Sequence, residues 1–95
     1  MKILNLPLKR EWYDMIERGE KLEEYRDING YWMPRLVNLR ESINSFKPFT
    51  HARIRLGYTK RTMLREIESI SVGYGKPEWG APTDRRVYII KLKKQ

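Results

Sequence analysis

Hydrophobic residues change their spacing within the first twenty positions, and each spacing predicts a different element. Residues 3–8 are mostly apolar, which is typical of a short buried strand. From about residue 9 to residue 18, apolar side chains recur at i, i+3 and i+4, as on one face of a helix. Gly19 follows as a C-terminal stop. The predicted inward face of this helix carries Trp12, Met15 and Ile16.

The next segment, residues 21–28, alternates between two sets of side chains, as the two-residue period of a strand requires. One predicted face therefore mixes apolar and ionic groups. The residues of that face are Leu22, Glu24, Arg26 and Ile28, and the opposite face carries Lys21, Glu23, Tyr25 and Asp27.

A short second helix is predicted after this strand. Asn29-Gly30 is typical of a turn, and Pro34 is suited to the first turn of a helix. The helix is expected to end before Lys47-Pro48. Its inward side chains are predicted to be Leu36, Leu39 and Ile43.

Three more strands are predicted in the second half of the chain. Residues 51–58 alternate, and between residues 63 and 72 the alternation changes phase near Glu68-Ser69, which predicts a bulge that bends the sheet. A Gly/Pro loop at 73–82 precedes residues 87–92, whose nearly continuous apolar run is typical of a central strand. The inward face of the 51–58 strand is predicted to carry Ala52, Ile54, Leu56 and Tyr58.

The order of these elements predicts an α+β fold. About five or six strands, one of them long and bent, together with two short helices, are typical of a small half-open β-barrel whose ends the helices close. A chain of 95 residues leaves no room for a second core, so we predict a single domain over residues 1–95.

Composition adds a positive charge and removes cysteine chemistry. Lysine and arginine total 20 against 12 acidic residues, a net charge of +8, which favours polyanionic partners although surplus lysine also serves solubility. With no cysteine, disulfides and thiolate sites are excluded and a reducing cytoplasm is favoured. No apolar run predicts a signal peptide or a membrane span, so no membrane partner is expected. A monomer is favoured, with the oligomeric state left open.

The stretch RGEKLEEYRD, residues 18–27, is densely charged. Glu24 and Arg26 share a predicted face with apolar residues, and a partly buried ion pair is costly because desolvation offsets the Coulomb attraction. Such a pair therefore indicates a ligand site. The alternative is an exposed edge strand whose charges only discourage aggregation.

The same stretch resembles the ASCH domain, a PUA-like barrel family of presumed RNA-binding proteins. The most specific part is the spacing of Gly19, Lys21, Glu24 and Arg26; Pro7-Leu8 at the end of the first strand and Trp12 in the helix add to it. The GYGKPEWGAP loop and the VYIIKLKK segment are similar to the family's closing part. The likeness runs from residue 3 to residue 93. It implies a PUA-like barrel with a charged cleft near its mouth that binds RNA or a nucleotide.

An enzymatic role is the second hypothesis. One branch of ASCH-like proteins hydrolyses the amide of acetylated cytidine with a lysine, a threonine nucleophile three residues later and a distant glutamate. Lys21 matches the lysine, but Glu24 stands at the nucleophile's position and cannot form a hydroxyl-derived acyl intermediate. Lys21 and Glu24 could instead activate water, with Glu66 or Glu68 as a second carboxylate. The alternative function is thus a small amidohydrolase or ribonuclease acting on modified nucleosides or RNA.

Basic and aromatic residues outside this strand predict where nucleic acid would lie. Arg53 and Arg55 face outward with His51, and a basic stripe continues through Lys60, Arg61 and Arg65. Aromatic rings among cations are suited to stacking on unpaired bases. For Trp79, contact with ligand and covering of the barrel end are equally favoured, whereas Trp12 is expected in the core. The predicted binding residues are Lys21, Glu24, Arg26, Arg53, Arg55, Tyr58, Tyr74, Lys76 and Trp79.

No metal or cofactor is expected. His51 is the only histidine, and with no cysteine the sequence lacks ligand spacing for a metal. Gly73-Tyr74-Gly75 lacks the third glycine and the following helix of a dinucleotide fingerprint. A third class of function, a basic face that meets an acidic protein, stays open.

Overall fold

A computed structural model describes residues 1–42 and 45–95 of the chain. It contains five strands, two helices and one 3-10 turn. In chain order these elements are β1 (Ile3–Leu8), α1 (Arg10–Glu17), β2 (Glu23–Arg26), α2 (Met33–Leu36), β3 (His51–Leu56), β4 (Thr62–Gly73), the 3-10 turn (Pro77–Trp79) and β5 (Val87–Leu92).

The five strands form one mixed sheet in the order β1-β3-β4-β5-β2. β1 runs parallel to β3, and the other three pairs are antiparallel. The predicted α+β class and the central place of β5 are therefore confirmed. Within residues 1–42 and 45–95 the sheet is open, because β1 and β2 are its two edges and pair with one neighbour each.

β4 bends where the sequence predicts it. Residues 62–66 pair with β3, and residues 67–73 pair with β5. Ile67 lies opposite Leu92 and Ser69 lies opposite the preceding Lys91, so Glu68 is the extra residue of a bulge. A bulge bends a strand and increases its twist. One long strand thereby turns the β1-β3 half of the sheet against the β5-β2 half.

Helix α1 ends in a hydrogen-bonded glycine motif, as predicted. The Gly19 amide donates to the Ile16 carbonyl and the Glu20 amide donates to the Met15 carbonyl. Gly19 has a φ of 82°, a left-handed conformation that glycine adopts without a steric cost. The predicted inward face needs a correction: Tyr13 is buried together with Ile16.

The predicted strand over residues 21–28 is too long, since β2 covers only Glu23–Arg26. The Lys21 amide donates to the Met15 carbonyl, so Lys21 belongs to the end of α1 and not to the strand ladder. Its assignment to the face opposite Glu24 is therefore wrong. Ile28, beyond the other end of β2, is 43% exposed.

The second helix is shorter than predicted. Pro34 lies in its first turn, as expected, and Leu36 is fully buried. The chain becomes extended at Val37, which bridges to Phe46, so Leu39 lies outside the helix and is 57% exposed. The inward placement of Leu39 is wrong. Ile43 lies outside the described residues.

Strand β3 alternates as predicted up to Leu56 and no further. Ala52, Ile54 and Leu56 are buried, and the residues between them are half-buried. Gly57 then turns the chain with a φ of 55°. Tyr58 therefore does not share the inward face, and 97% of it is exposed.

The core lies between α1 and the inner face of the sheet. Its members are buried alternate residues of the strands together with the inner side of each helix. Among them are Leu4, Leu6, Leu8, Tyr13, Ile16, Leu36, Ala52, Ile54, Ile67, Tyr88, Ile90 and Leu92. In the part of the chain that the structure describes, no helix has the length and hydropathy needed to cross a membrane.

Candidate functional site

Three ionic side chains converge at the end of β2. Lys21 Nζ lies 3.3 Å from Glu24 Oε1, and Arg26 Nη2 lies 2.8 Å from Glu24 Oε2. The side chains of Lys21, Glu24 and Arg26 are 0%, 9% and 16% exposed. The sequence predicted that these residues lie close together, and in the structure they form one buried cluster. We call it the ionic cluster.

Lys21 is the innermost member of the ionic cluster. Its Nζ donates to the Trp79 carbonyl at 2.6 Å and lies 5.4 Å from the centre of the Trp12 ring and 4.7 Å from that of Tyr25. Burial lowers the pKa of Lys21, while the neighbouring Glu24 carboxylate opposes that shift. Glu24 stands between the ammonium group and Arg26.

Arg26 is the outermost member and has contacts on three sides. Its Nη2 donates to Glu24 and to the Pro7 carbonyl of β1, both at 2.8 Å, and its guanidinium carbon lies 4.9 Å from the centre of the Trp32 ring. Its Nε is buried and has no hydrogen-bond partner among the described residues. With Lys21, the cluster holds two cations and one carboxylate, formally one positive charge in excess.

Tyr25 fixes the 73–82 loop against β2. Its hydroxyl donates to Glu23 Oε1 at 2.7 Å and accepts from the Lys76 amide at 3.0 Å. Gly75 allows this approach, because a Cβ at that position would collide with the Tyr25 ring. Burial and the hydrogen bond to Glu23 raise the pKa of Tyr25, so the phenol keeps its proton to a higher pH than a free tyrosine does.

The 3-10 turn of the same loop carries Trp79. Gly80 follows it with a φ of 97°, and a Cβ there would lie 3.0 Å from the Trp12 ring. Lys76 Nζ lies 4.3 Å from the centre of the Trp79 ring. Two glycines thus let the loop pack closely over Tyr25 and Trp12.

Two hollows meet at the ionic cluster. The smaller, of about 270 Å³, is lined by Glu24 and the larger, of about 560 Å³, by Asp27 and Arg85. We call the two together the cleft. Residues that line both are Lys9, Tyr25, Arg26 and Gly80.

All three tryptophans of the chain border the cleft. Trp12 and Trp79 line the smaller hollow, and Trp32 lines the larger. The charged lining includes Lys9 and Arg26 beside Glu24. Such a mixture provides flat faces for an aromatic ring, donors for carbonyl or phosphate oxygens, and a carboxylate for amino groups. The cleft therefore offers both apolar ring contacts and groups of either charge.

Of the other predicted binding residues, Lys21 is buried behind Glu24 and lines neither hollow of the cleft, and the remaining five lie outside the cleft as well. Arg53 and Arg55 lie on the outer face of β3, where Arg55 donates to the Thr59 carbonyl. Tyr58 projects from the turn after β3, and Tyr74 is 65% exposed with Arg86 at 5.9 Å from its ring centre. Lys76 stays close to the cleft because it lies over Trp79.

Three of the acids and bases expected beside these groups form ion pairs at the surface. Arg61 contacts Glu17 at 3.0 Å. Glu66 and Glu68, the predicted second carboxylates, pair with Lys93 and Lys91, and neither lines the cleft. Arg65 lines a separate hollow of about 310 Å³ near the end of α1. Lys21 borders that hollow too, but its ammonium points to Glu24 and Trp79.

Several lining residues were not predicted as site residues. Trp12 was expected in the core and is only partly buried. The sequence did not predict a place in the site for Lys9, Tyr25, Trp32 or Arg85. Their local sequence patterns do not indicate a cleft. The only signal was indirect: Tyr25 lies inside the Lys21–Arg26 motif, between two residues that were predicted to bind.

The described residues include no group of three or more His, Asp or Glu side chains that could hold a metal ion. His51 Nδ1 instead lies 2.8 Å from Thr50 Oγ1. Comparisons of the chain with models of known protein families, with curated proteins and with solved structures found no match.

Proposed function

We propose that this protein binds an unpaired nucleotide, free or within RNA, in the cleft. The observation that carries this proposal is the ionic cluster, which lies buried at the wall of a hollow bordered by tryptophans. Burying charged groups without a gain in binding is costly, and replacing them with apolar residues is often neutral or stabilising. A ligand that uses these charges gives a reason for their presence.

The charge balance of the cluster indicates which ligand groups would meet it. Arg26 contributes the second cation, and its Nε lacks a partner among the described residues. An acceptor on the ligand, such as a base carbonyl or a phosphate oxygen, would offset the excess charge of the cluster. Glu24 would accept from an exocyclic amino or imino group.

The aromatic residues supply the second part of the argument. Trp79 lies on the 3-10 turn and Trp12 on α1, and both border the smaller hollow with Glu24. Stacking of a base on one such ring contributes about 1–3 kcal/mol and does not depend on sequence. Lys9 and Arg85 line the larger hollow, where they would contact the phosphate.

We also propose that the curled sheet is a half-open PUA-like barrel of the ASCH kind. The protein would then work in a reducing cytoplasm. This proposal is supported by the bulge at Glu68, by the contact of Arg26 with Pro7 across the open edges, and by the absence of cysteine. Glu24 and Arg26 line the cleft, which agrees with the charged cleft that the resemblance implies, whereas Lys21 lies buried behind Glu24.

Titration with nucleoside monophosphates, followed by tryptophan fluorescence, tests the proposal. We expect saturable quenching by at least one of the four nucleotides and affinity that falls with salt. Trp79→Leu should weaken binding about tenfold through the lost stacking. Lys94→Met, which removes a surface charge outside the cleft, is the matched control. No saturable change with any nucleotide would reject the proposal.

One observation favours a second candidate, a small hydrolase. The lowered pKa of Lys21 beside Glu24 is typical of groups that exchange protons, and Glu24 borders a hollow that could hold a substrate. In this candidate, Glu24 activates water and Lys21 holds its carboxylate in place. Acetylated cytidine and labelled RNA are the substrates to test. Turnover that Lys21→Ala and Glu24→Gln both abolish would establish an enzyme, and no product at high protein concentration would remove this candidate.

A further inference from the structure

We infer that the natural ligand is single-stranded RNA, and that the nucleotide next to the one in the cleft lies in a groove along β1. This inference rests on the proposed function. It names the class of ligand and assigns a second, separate binding surface. We call that surface the β1 groove.

The β1 groove is a hollow of about 360 Å³ between the outer side of β1 and the segment around α2. Ile3, Asn5 and Pro7 of β1 form one side. Residues that line the other side include Tyr31, Trp32, Lys47 and Phe49. The volume is comparable to that of the smaller hollow of the cleft.

The groove and the cleft are neighbours with common walls. Pro7 lines both the β1 groove and the smaller hollow, and Trp32 lines both the groove and the larger hollow. Arg26 joins the two common walls, because it donates to the Pro7 carbonyl and lies over the Trp32 ring. Two consecutive nucleotides could therefore lie on either side of this common wall, one in the cleft and one in the groove.

The charge of the groove favours a polyanion. Arg35 and Lys47 line it, and no acidic residue is among the lining residues that the structure describes. Arg53 stands beside it, with Nη1 3.5 Å from the side-chain oxygen of Asn5, which is itself a lining residue. Arg53, one of the two β3 cations that were predicted to hold phosphates, is thus at the edge of the groove and not at the cleft.

Aromatic rings of the groove provide places for bases. Tyr31 is 57% exposed, with the Arg35 guanidinium 3.5 Å from its ring centre. Lys2 Nζ lies 5.4 Å from the centre of the Phe49 ring. Aromatic and guanidinium planes beside phosphate-binding cations are typical of surfaces that bind unpaired RNA. A second stacked base and its phosphate fit this arrangement.

The test compares a mononucleotide with di- and tetranucleotides of the same base, by calorimetry at one salt concentration. The tetranucleotide should bind about tenfold or more tightly than the mononucleotide, because one more base stacks. The double variant Tyr31→Leu with Lys47→Ala should lose that gain and leave mononucleotide affinity unchanged. Tyr31→Phe keeps the ring and should keep the gain. Lys94→Ala is the control for charge.

The outcomes separate the two proposals. The β1 groove alone is overturned if the mononucleotide binds and the longer oligonucleotides bind no more tightly. It is also overturned if the double variant keeps the gain in affinity. Absence of binding by every nucleotide overturns the proposed function as well. A glutamate-rich peptide should not compete with the tetranucleotide; competition abolished by the double variant would assign the groove to an acidic protein segment and overturn the inference.

Discussion

Arg26 Nη2 of β2 lies 2.8 Å from the carbonyl oxygen of Pro7 in β1. A side chain of one edge strand thus binds the main chain of the other edge strand, across the gap that the sheet leaves open. The same guanidinium holds the Glu24 carboxylate. Arg26 therefore couples the stability of the two sheet edges to the geometry of the cleft.

Arg26→Met should destabilise the protein and loosen β1. The variant loses hydrogen bonds to a carbonyl and a carboxylate, and we expect the free energy of unfolding to fall by about 2 kcal/mol or more. Urea denaturation measures the loss. Arg85→Met, in which an exposed pair with Asp27 is removed, should cost less than about 1 kcal/mol. Equal losses in the two variants would contradict the role of Arg26.

Glu24→Gln should destabilise the protein far more than Lys21→Met. Glu24→Gln leaves two buried cations without a carboxylate, whereas Lys21→Met leaves the Arg26–Glu24 pair in charge balance. Breaking a buried pair in the first way costs about 3–5 kcal/mol. We expect less than half of that for Lys21→Met. Urea denaturation compares them; a Lys21→Met loss as large as that of Glu24→Gln would refute the charge-balance argument.

Gly75→Ala should destabilise the loop over the cleft. The added methyl group meets the Tyr25 ring, and relief requires the ring or the loop to move. Overpacking of this kind costs about 1–3 kcal/mol. Gly30→Ala is the matched control, because no atom lies within 4 Å of its added Cβ and its φ is not in the left-handed region. Thermal denaturation of both variants checks the difference, and equal melting temperatures would count against close packing at Gly75.

Tyr25 should make stability depend on alkaline pH. Its pKa is raised above 10.0 in the folded protein, mainly by burial. The folded state therefore holds a proton that the unfolded state releases near pH 10, and stability from this group is present below that pH and lost as pH rises further. Urea denaturation from about pH 8 to about pH 11 should show a steeper loss for the wild type than for Tyr25→Phe. Parallel curves would contradict the assignment.

Short-range patterns in the sequence predicted the local features of the fold. The helix stop at Gly19 requires only local hydrogen bonds, and the bulge at Glu68 appears as a change in alternation. The grouping of Glu24 with Arg26 is explained by their two-residue spacing. These features are decided by a few neighbouring residues, so their patterns carry the information.

Other parts of the site depend on contacts between distant segments. Lys21 joins Glu24 because the glycine motif keeps it out of the strand, and its ammonium is held by Trp79, far along the chain. Trp32 borders the larger hollow of the cleft with Arg26 against its ring, a contact between two segments of the chain. The spacing of apolar residues along the sequence carries no information about contacts between distant segments. Two strands were predicted to extend to Ile28 and Tyr58, and both limits were wrong for a local reason, because turns end these strands earlier.

An NMR titration with a nucleoside monophosphate tests the central claim most directly. The signals to follow are the three indole N–H groups and the Nε–H of Arg26, which lacks a hydrogen-bond partner among the described residues. We predict that the signals of Trp12, Trp79 and Arg26 shift together along one saturation curve, and that Glu24→Gln changes this curve. Signals of Trp12, Trp79 and Arg26 that stay in place at saturating nucleotide would contradict the account.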